Sequence, residues 1–160
     1  MVKLSPEIIR FIGAQGFGII STLDEKGFIH CSAKGIAGID KNGEVYIIDL
    51  YFNRTFKNLT ANPIVSLTFV DEQHFHGYTL KGRGEIVARE KISGKIITAW
   101  EKKVVERVSR RLIKNIRLEK KSGGHHPEVK LPQPKYMIVV KVEEIVDLSP
   151  SFPESKNKKL

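Results

Sequence analysis

Two glycine turns restrict the folds open to this chain more than any other feature. Asp24-Glu25-Lys26-Gly27 separates the strand-like runs 17–23 and 28–33, and Asp40-Lys41-Asn42-Gly43 introduces a third run, 44–50. Strand-like runs flanking such a tight turn pair as antiparallel hairpins. The rest of the chain follows in kind. Residues 6–15 read as a short helix, with Ser5 as N-cap and Pro6 at the first helical position. Arg54–Ala61 reads as a second, closed by Asn62-Pro63, and runs 64–70 and 77–88 as two more strands. Gly82 and Gly84 inside the latter permit a bulge or strong coiling. Ser93 caps a long helix reaching about residue 120, whose apolar positions Trp100, Val104, Val108, Leu112 and Ile116 recur every four residues. Residues 121–135 form a loop, 136–148 the last strand, and 151–160 a polar tail expected to fray. Six strands of this length curl readily into a small barrel. They do not alternate regularly with helices, and neither a G-x-G-x-x-G turn nor a Walker loop is present, which argues against a doubly wound nucleotide fold.

A chain of 160 residues suits one domain, expected over residues 1–150, and 41% hydrophobic residues suffice for a core. Cys31 stands alone, so no internal disulfide can form and a reducing compartment is favoured. The first six residues lack the apolar stretch of a signal peptide, and the longest apolar runs are far too short to cross a bilayer. A soluble, cytoplasmic protein is the expectation. The net charge of +9 suggests an anionic partner such as nucleic acid, an acidic membrane surface or a phosphorylated cofactor. Much of it is local: residues 101–121 hold nine Lys or Arg against three Glu.

The segment most suggestive of chemistry is Tyr51-Phe52-Asn53-Arg54-Thr55-Phe56-Lys57. It brings Arg54, Thr55 and Lys57 to the first turn of a helix, where free backbone N–H groups and the positive dipole end favour an anion. A guanidinium fork, a hydroxyl and an ammonium suit a phosphate monoester. The alternative is a solvated helix start with Thr55 as an ordinary cap.

Four motifs in order give this chain a family likeness: Phe17-Gly18-Ile19-Ile20-Ser21-Thr22-Leu23-Asp24; Ile29-His30-Cys31-Ser32-Ala33-Lys34-Gly35; Arg54-Thr55 followed by Leu59-x-x-Asn62-Pro63; and Gly82-Arg83-Gly84-Glu85. Together they resemble the pyridoxamine 5'-phosphate oxidase-like flavin-binding split barrels. The resemblance implies a mainly β (α+β) fold, a six-stranded antiparallel split β-barrel with flanking helices and the long basic helix inserted before the last strand. It implies flavin mononucleotide (FMN) as cofactor, with Arg54 and Thr55 gripping its phosphate and Lys57 assisting. Ser32, Ala33, Lys34 and Gly35 fall where the family lines the isoalloxazine ring, and a cation such as Lys34 there would stabilise an anionic reduced flavin. FMN usually lies between two subunits in this family, so a homodimer is implied. Members that oxidise vitamin B6 phosphates carry an Arg where this chain has Ile29, a Gln where it has Gly77, and a closing Arg-Leu-x-Pro that it lacks. These departures argue against that substrate.

His74 and His76 are expected two apart at the start of a strand, facing the same side, and His125-His126 in the long loop; none has structural-zinc spacing, solvated histidines are the favoured reading, and no metal is expected. His30 reads as a strand residue near the flavin rim, and Tyr78, Trp100 or the His125-His126 loop could meet a substrate. The apolar stripe of the long helix is read as core-facing or dimer-facing, with Lys102, Lys103, Arg107, Arg110, Arg111, Lys114 and Arg117 in water. Three functions follow: an FMN-dependent oxidoreductase taking electrons from a nicotinamide donor, a flavin-binding or electron-transfer module without a substrate, and a nucleic-acid binder using the basic helix.

Overall fold

The computed structural model describes residues 2–117 and 133–150. Its elements run α1 (Pro6–Ala14), β1 (Gly18–Leu23), β2 (Ile29–Lys34), β3 (Ile36–Asp40), β4 (Glu44–Asp49), α2 (Arg54–Ala61), β5 (Ile64–Asp71), β6 (His76–Ala88), a 3₁₀ turn (Arg89–Lys91), α3 (Gly94–Arg117) and β7 (Tyr136–Asp147). The expected fraying tail at 151–160 and most of the expected loop, with His125 and His126, lie outside the described residues.

Both turns form by the chemistry their sequences specify. The Asp24 carboxylate accepts from the N–H groups of Lys26 and Phe28 at 2.9 Å each, and Gly27 takes φ +81°. The Asp40 carboxylate accepts from Asn42 N–H at 2.6 Å, and Gly43 takes φ +95°. Such Asx turns, followed by a left-handed glycine, favour reversal before any tertiary contact exists.

The strands form one sheet in the order β2-β1-β5-β6-β7-β4-β3, every neighbouring pair antiparallel. Seven strands stand where six were expected. The addition, β3, follows β2 after the single residue Gly35, although the two strands occupy opposite edges of the sheet. One residue cannot span a flat seven-stranded sheet, because strands lie about 4.8 Å apart. The band must therefore curl until its edges meet at Gly35, which makes the half-barrel a consequence of connectivity. Gly38 and the following turn disguised β3 as a link.

The concave face encloses the core, where Ile20, Val45, Ile47, Leu67, Leu80, Ile138, Val140 and Val142 are wholly buried, with Ile8 and Ile12 of α1 packed against them. On the opposite side, Trp100 and Val104 of α3 pack with Ala37 and Ile48. The α3 stripe is thus core-facing only in part: Val105, Leu112 and Ile113 are each about half exposed.

β6 and β7 pair along most of their length, with a register shift between Lys81 and Gly82. A Cβ on Gly82 would drive into the Lys141 carbonyl, meeting its carbon at 2.9 Å and Val142 Cα at 3.1 Å. Gly82→Ala should therefore destabilise the fold by about 2–3 kcal/mol, the usual cost of overpacking rigid backbone. Thermal unfolding should register it as a drop of roughly 4–12 °C, and an unchanged midpoint would contradict the close approach.

Candidate functional site

Three of the four sequence motifs meet around α2, and the structure gives each a physical task. Leu59 of α2 is buried against Gly84, where an added Cβ would lie 3.0 Å from the leucine side chain. The Asn62 side chain accepts from Ile64 N–H at 3.0 Å, and the Pro63 carbonyl accepts from Gly84 N–H at 2.8 Å. Buried Asn58 donates to the Thr22 hydroxyl of β1 at 3.0 Å. These contacts seat α2 on the barrel with its N-terminus facing β2. Arg83 and Glu85 face elsewhere, pairing across to Glu143 at 3.3 Å and Lys141 at 2.8 Å on the outer surface.

Between β2 and the start of α2 lies a cleft of about 450 Å³ lined by His30, Cys31, Ser32, Lys34, Phe52, Asn53, Arg54, Thr55 and Lys57. Five of the seven expected binding residues therefore share one cavity: Ser32, Lys34, Arg54, Thr55 and Lys57. The other two, Ala33 and Gly35, line a smaller adjoining cavity of about 220 Å³, which Lys34 also borders and which Trp100 and Arg107 help to close. Phe52 and Asn53 were not anticipated, although they directly precede the helix.

The α2 end of the cleft is poised for an anion. Asn53 occupies the N-cap position but its side chain makes no capping hydrogen bond, and no acidic residue stands in the first turn. The first-turn amides of α2 thus keep their donors. Arg54 and Lys57 are exposed and form no ion pair among the described residues. Thr55 is only 3% exposed, lines the cleft, and its hydroxyl has no hydrogen-bond partner among the described residues. A buried unpaired hydroxyl costs about 1–3 kcal/mol, a cost that an oxygen-rich ligand in the cleft would remove. The donor set fits a phosphate monoester.

Lys34 behaves differently from the bare cation expected. Its Nζ lies 2.6 Å from Asp49 Oδ2, and the Tyr136 hydroxyl donates to the same oxygen at 2.7 Å. The other carboxylate oxygen accepts from the N–H groups of Leu50 at 2.8 Å and Tyr51 at 3.3 Å. Asp49 itself is 3% exposed. Burial first, then the hydrogen bond to Asp49 and its charge, hold the Tyr136 phenol far above its ordinary range, so it remains a donor at physiological pH. Phe52 stacks on the Tyr136 ring with centroids 5.4 Å apart, and Phe56 meets both edge-on.

Other expectations need correction. Lys103 turns inward from α3, donating to the Ile36 carbonyl at 3.0 Å, and burial with the neighbouring Arg107 charge lowers its ammonium below the ordinary value. Arg107 lies over Gly35, its guanidinium 3.3 Å from where a Cβ would be. Neither stands free in water, because both are used where the sheet edges meet. His74 sits in the β5–β6 turn and not in a strand, since Phe75 takes φ +50° between it and His76. His74 bonds Asp71 at 2.8 Å and His76 bonds Ser149 at 2.6 Å. Tyr78 is buried against Phe11 and His76, outside the cleft. No cluster of three or more metal-ligating side chains occurs among the described residues. No helix among them is long and apolar enough to cross a membrane.

A family profile described as pyridoxamine 5'-phosphate oxidase matches residues 4–148. No curated protein gives a significant sequence match. Among solved structures, HupZ of Group A Streptococcus superposes with a TM-score of 0.63 at 19% identity, covering 91% of this chain and 94% of that one. A Clostridium acetobutylicum protein related to general stress protein 26 of B. subtilis, of the pyridoxinephosphate oxidase family, gives 0.57 at 15% identity, covering 89% and 92%. An F420 reductase gives 0.54 at 15% identity, covering 86% and 94%. At these identities the likeness is one of fold, the split barrel.

The Tyr136 phenol supplies a pH test of the buried cluster. Because its folded value lies above the unfolded value of about 10, its contribution is complete below pH 10 and is lost as pH rises beyond it. Stability should fall by about 1.4 kcal/mol per pH unit for this one proton. Tyr136→Phe should flatten the alkaline limb by that amount in urea unfolding between pH 8 and 11. Equal slopes in parent and variant would show that burial and Asp49 together do not raise the phenol.

Proposed function

Because the chain belongs to the pyridoxamine 5'-phosphate oxidase family, we propose that it is an FMN-binding oxidoreductase holding its cofactor in the cleft between β2 and α2. The observation that carries this reading is the donor set at the start of α2, where among the described residues two cations are unpaired, the amides uncapped and the buried Thr55 hydroxyl without a partner. Arg54 would grip the phosphate with its planar fork, Thr55 would donate its hydroxyl, and Lys57 would add charge from the same turn. Ser32 and Lys34 would border the isoalloxazine ring, with the backbone of Ala33 and Gly35 beside it. Bound FMN would supply the redox chemistry, taking electrons from a nicotinamide donor and passing them to a small substrate. The side chains themselves would bind, orient and shield; no acid–base dyad is required of them.

Oxidation of vitamin B6 phosphates is not part of the proposal. At Gly77, where oxidising members carry Gln, a Cβ would meet the Phe69 carbonyl oxygen at 2.5 Å, so no side chain can enter from there. Ile29, where they carry Arg, is an exposed apolar residue. Adjacent Phe28 is exposed as well, and we assign the surface of this edge strand to a second copy of the chain in a homodimer. A cytoplasmic setting accords with the single exposed thiol of Cys31.

The purified protein should be yellow and, on denaturation, release FMN identified by absorption and mass; release of F420, the cofactor named for one structural neighbour, would overturn the choice of cofactor. Turnover of NADH or NADPH by the loaded protein would mark an enzyme, whereas stoichiometric reduction alone would mark a carrier. Arg54→Ala should weaken FMN binding about 10–100-fold, since one charge-assisted hydrogen bond is worth about 1.5–3 kcal/mol. Undiminished affinity, measured by flavin fluorescence quenching, would show that the phosphate binds elsewhere.

A further inference from the structure

Lys34 and Asp49 sit on strands β2 and β4, which are separated by four strands in the hydrogen-bonded order of the sheet. Their 2.6 Å ion pair therefore crosses the line where the curled band meets itself; Lys34 lines the cleft, and Asp49 lines the smaller cavity beside it. The pair is unequally covered: the Asp49 side chain is 4% exposed and that of Lys34 15%, so the lysine is the member that faces the cavity. Asp49 is fixed from behind by the Tyr136 hydroxyl and by the Leu50 and Tyr51 amides. A carboxylate held by three donors besides Lys34 has little freedom to follow a ligand.

We propose that Asp49 is a positioning residue, which holds the Lys34 ammonium in place at the ring end of the cleft and offsets its charge there. The proposal rests on the FMN reading of the same cleft. Its consequence is a division of labour: Arg54 and Lys57 present uncompensated charge to the phosphate, while the ring meets a lysine whose field is largely cancelled. Reduced flavin carries more negative charge on its pyrimidine edge than oxidised flavin, so a bare cation there would favour the reduced form. Asp49 restrains that preference and keeps the two oxidation states closer in affinity.

Four proteins test this: the parent, Asp49→Asn, Lys34→Met and the double variant. Anaerobic titration gives the ratio of Kd values for oxidised and reduced FMN, and thermal unfolding checks that each variant folds. Asp49→Asn should shift the ratio tenfold or more toward reduced FMN, equivalent to about 30 mV for a two-electron couple. Lys34→Met should shift it the opposite way, and the double variant, which has neither charge, should return to within about threefold of the parent. A merely structural role predicts instead that the double variant departs further than either single one. Should Asp49→Asn fail to fold, Lys34→Met compared with the double variant isolates the Asp49 charge. A ratio insensitive to Asp49 would overturn the proposal.

A second readout needs no flavin. Acetic anhydride followed by peptide mass spectrometry should acetylate Lys34 of the FMN-free parent far more slowly than exposed Lys57, and Asp49→Asn should accelerate Lys34 at least fivefold. Equal rates in parent and variant would show that Asp49 does not hold the amine. A parent that binds no FMN would overturn the proposed function and the charge-offset half of this inference with it, and acetylation would then decide the positioning half by itself.

Discussion

The seam at Gly35 is the constraint from which the rest of the molecule follows. A strand that leaves one edge of a sheet and joins the opposite edge after a single residue forces closure, whatever the side chains prefer. Closure brings β2 over β4 and so sets Lys34 against Asp49. It also leaves the polar backbone of the seam short of regular ladder partners, and α3 answers that need: Lys103 donates to the Ile36 carbonyl, and Arg107 lies across Gly35. A side chain at position 35 would press on that guanidinium, so the glycine serves close approach there. The ion pair is a costly way to fasten a seam, because burying both charges forfeits hydration that their attraction only partly returns. What makes it tenable is that every lone pair of Asp49 has a donor, from Tyr136, Lys34 or the main chain.

The same closure decides where a ligand can sit. α2 is only eight residues long and would be marginal alone. It holds its place because Leu59 fills the space left by Gly84 and Asn58 reaches the Thr22 hydroxyl inside the barrel. Those two contacts aim the helix start, with its uncapped amides, at the face of β2 that carries His30, Ser32 and Lys34. Alternation along β2 puts these three residues on one side. A cationic helix start at one end and a partly polar strand face at the other are thus products of the same packing that makes the core.

How much of this could be read from the chain alone varies with the range of the interaction. The turns at Asp24–Gly27 and Asp40–Gly43, the Ser5 cap and the bounds of α2 all depend on neighbours within four residues, and the sequence displays them directly. Arg54, Thr55 and Lys57 are legible from the helix start itself, whereas Ser32 and Lys34 come only with the family resemblance, because nothing local shows which helix β2 will face. β3 was not, because an apolar run broken by Gly38 and bounded by Gly35 resembles a link until the sheet edges are known to meet. Asp49 was missed for a similar reason: at the end of the Glu44–Asp49 strand it looks like an ordinary exposed terminus, and only partners 15 and 87 residues away bury it. Lys103 and Arg107 looked like members of a solvated charge run, and nothing local marks the two that turn inward.

The basic helix can now be divided. Its N-terminal half is structural, with Trp100 and Val104 in a packed cluster and Lys103 and Arg107 at the seam. Its second half pairs exposed Leu112 and Ile113 with Arg110, Lys114 and Arg117, a surface no other described element covers. The formal surplus of +9 therefore overstates how cationic the cleft is. Lys34 is offset and Lys103 is spent on a carbonyl, which leaves Arg54 and Lys57 as the cleft's unpaired cations among the described residues. Two such charges beside a helix start suit one anionic group, and they set the α2 end of the cleft apart from the Lys34 end, where the charge is offset.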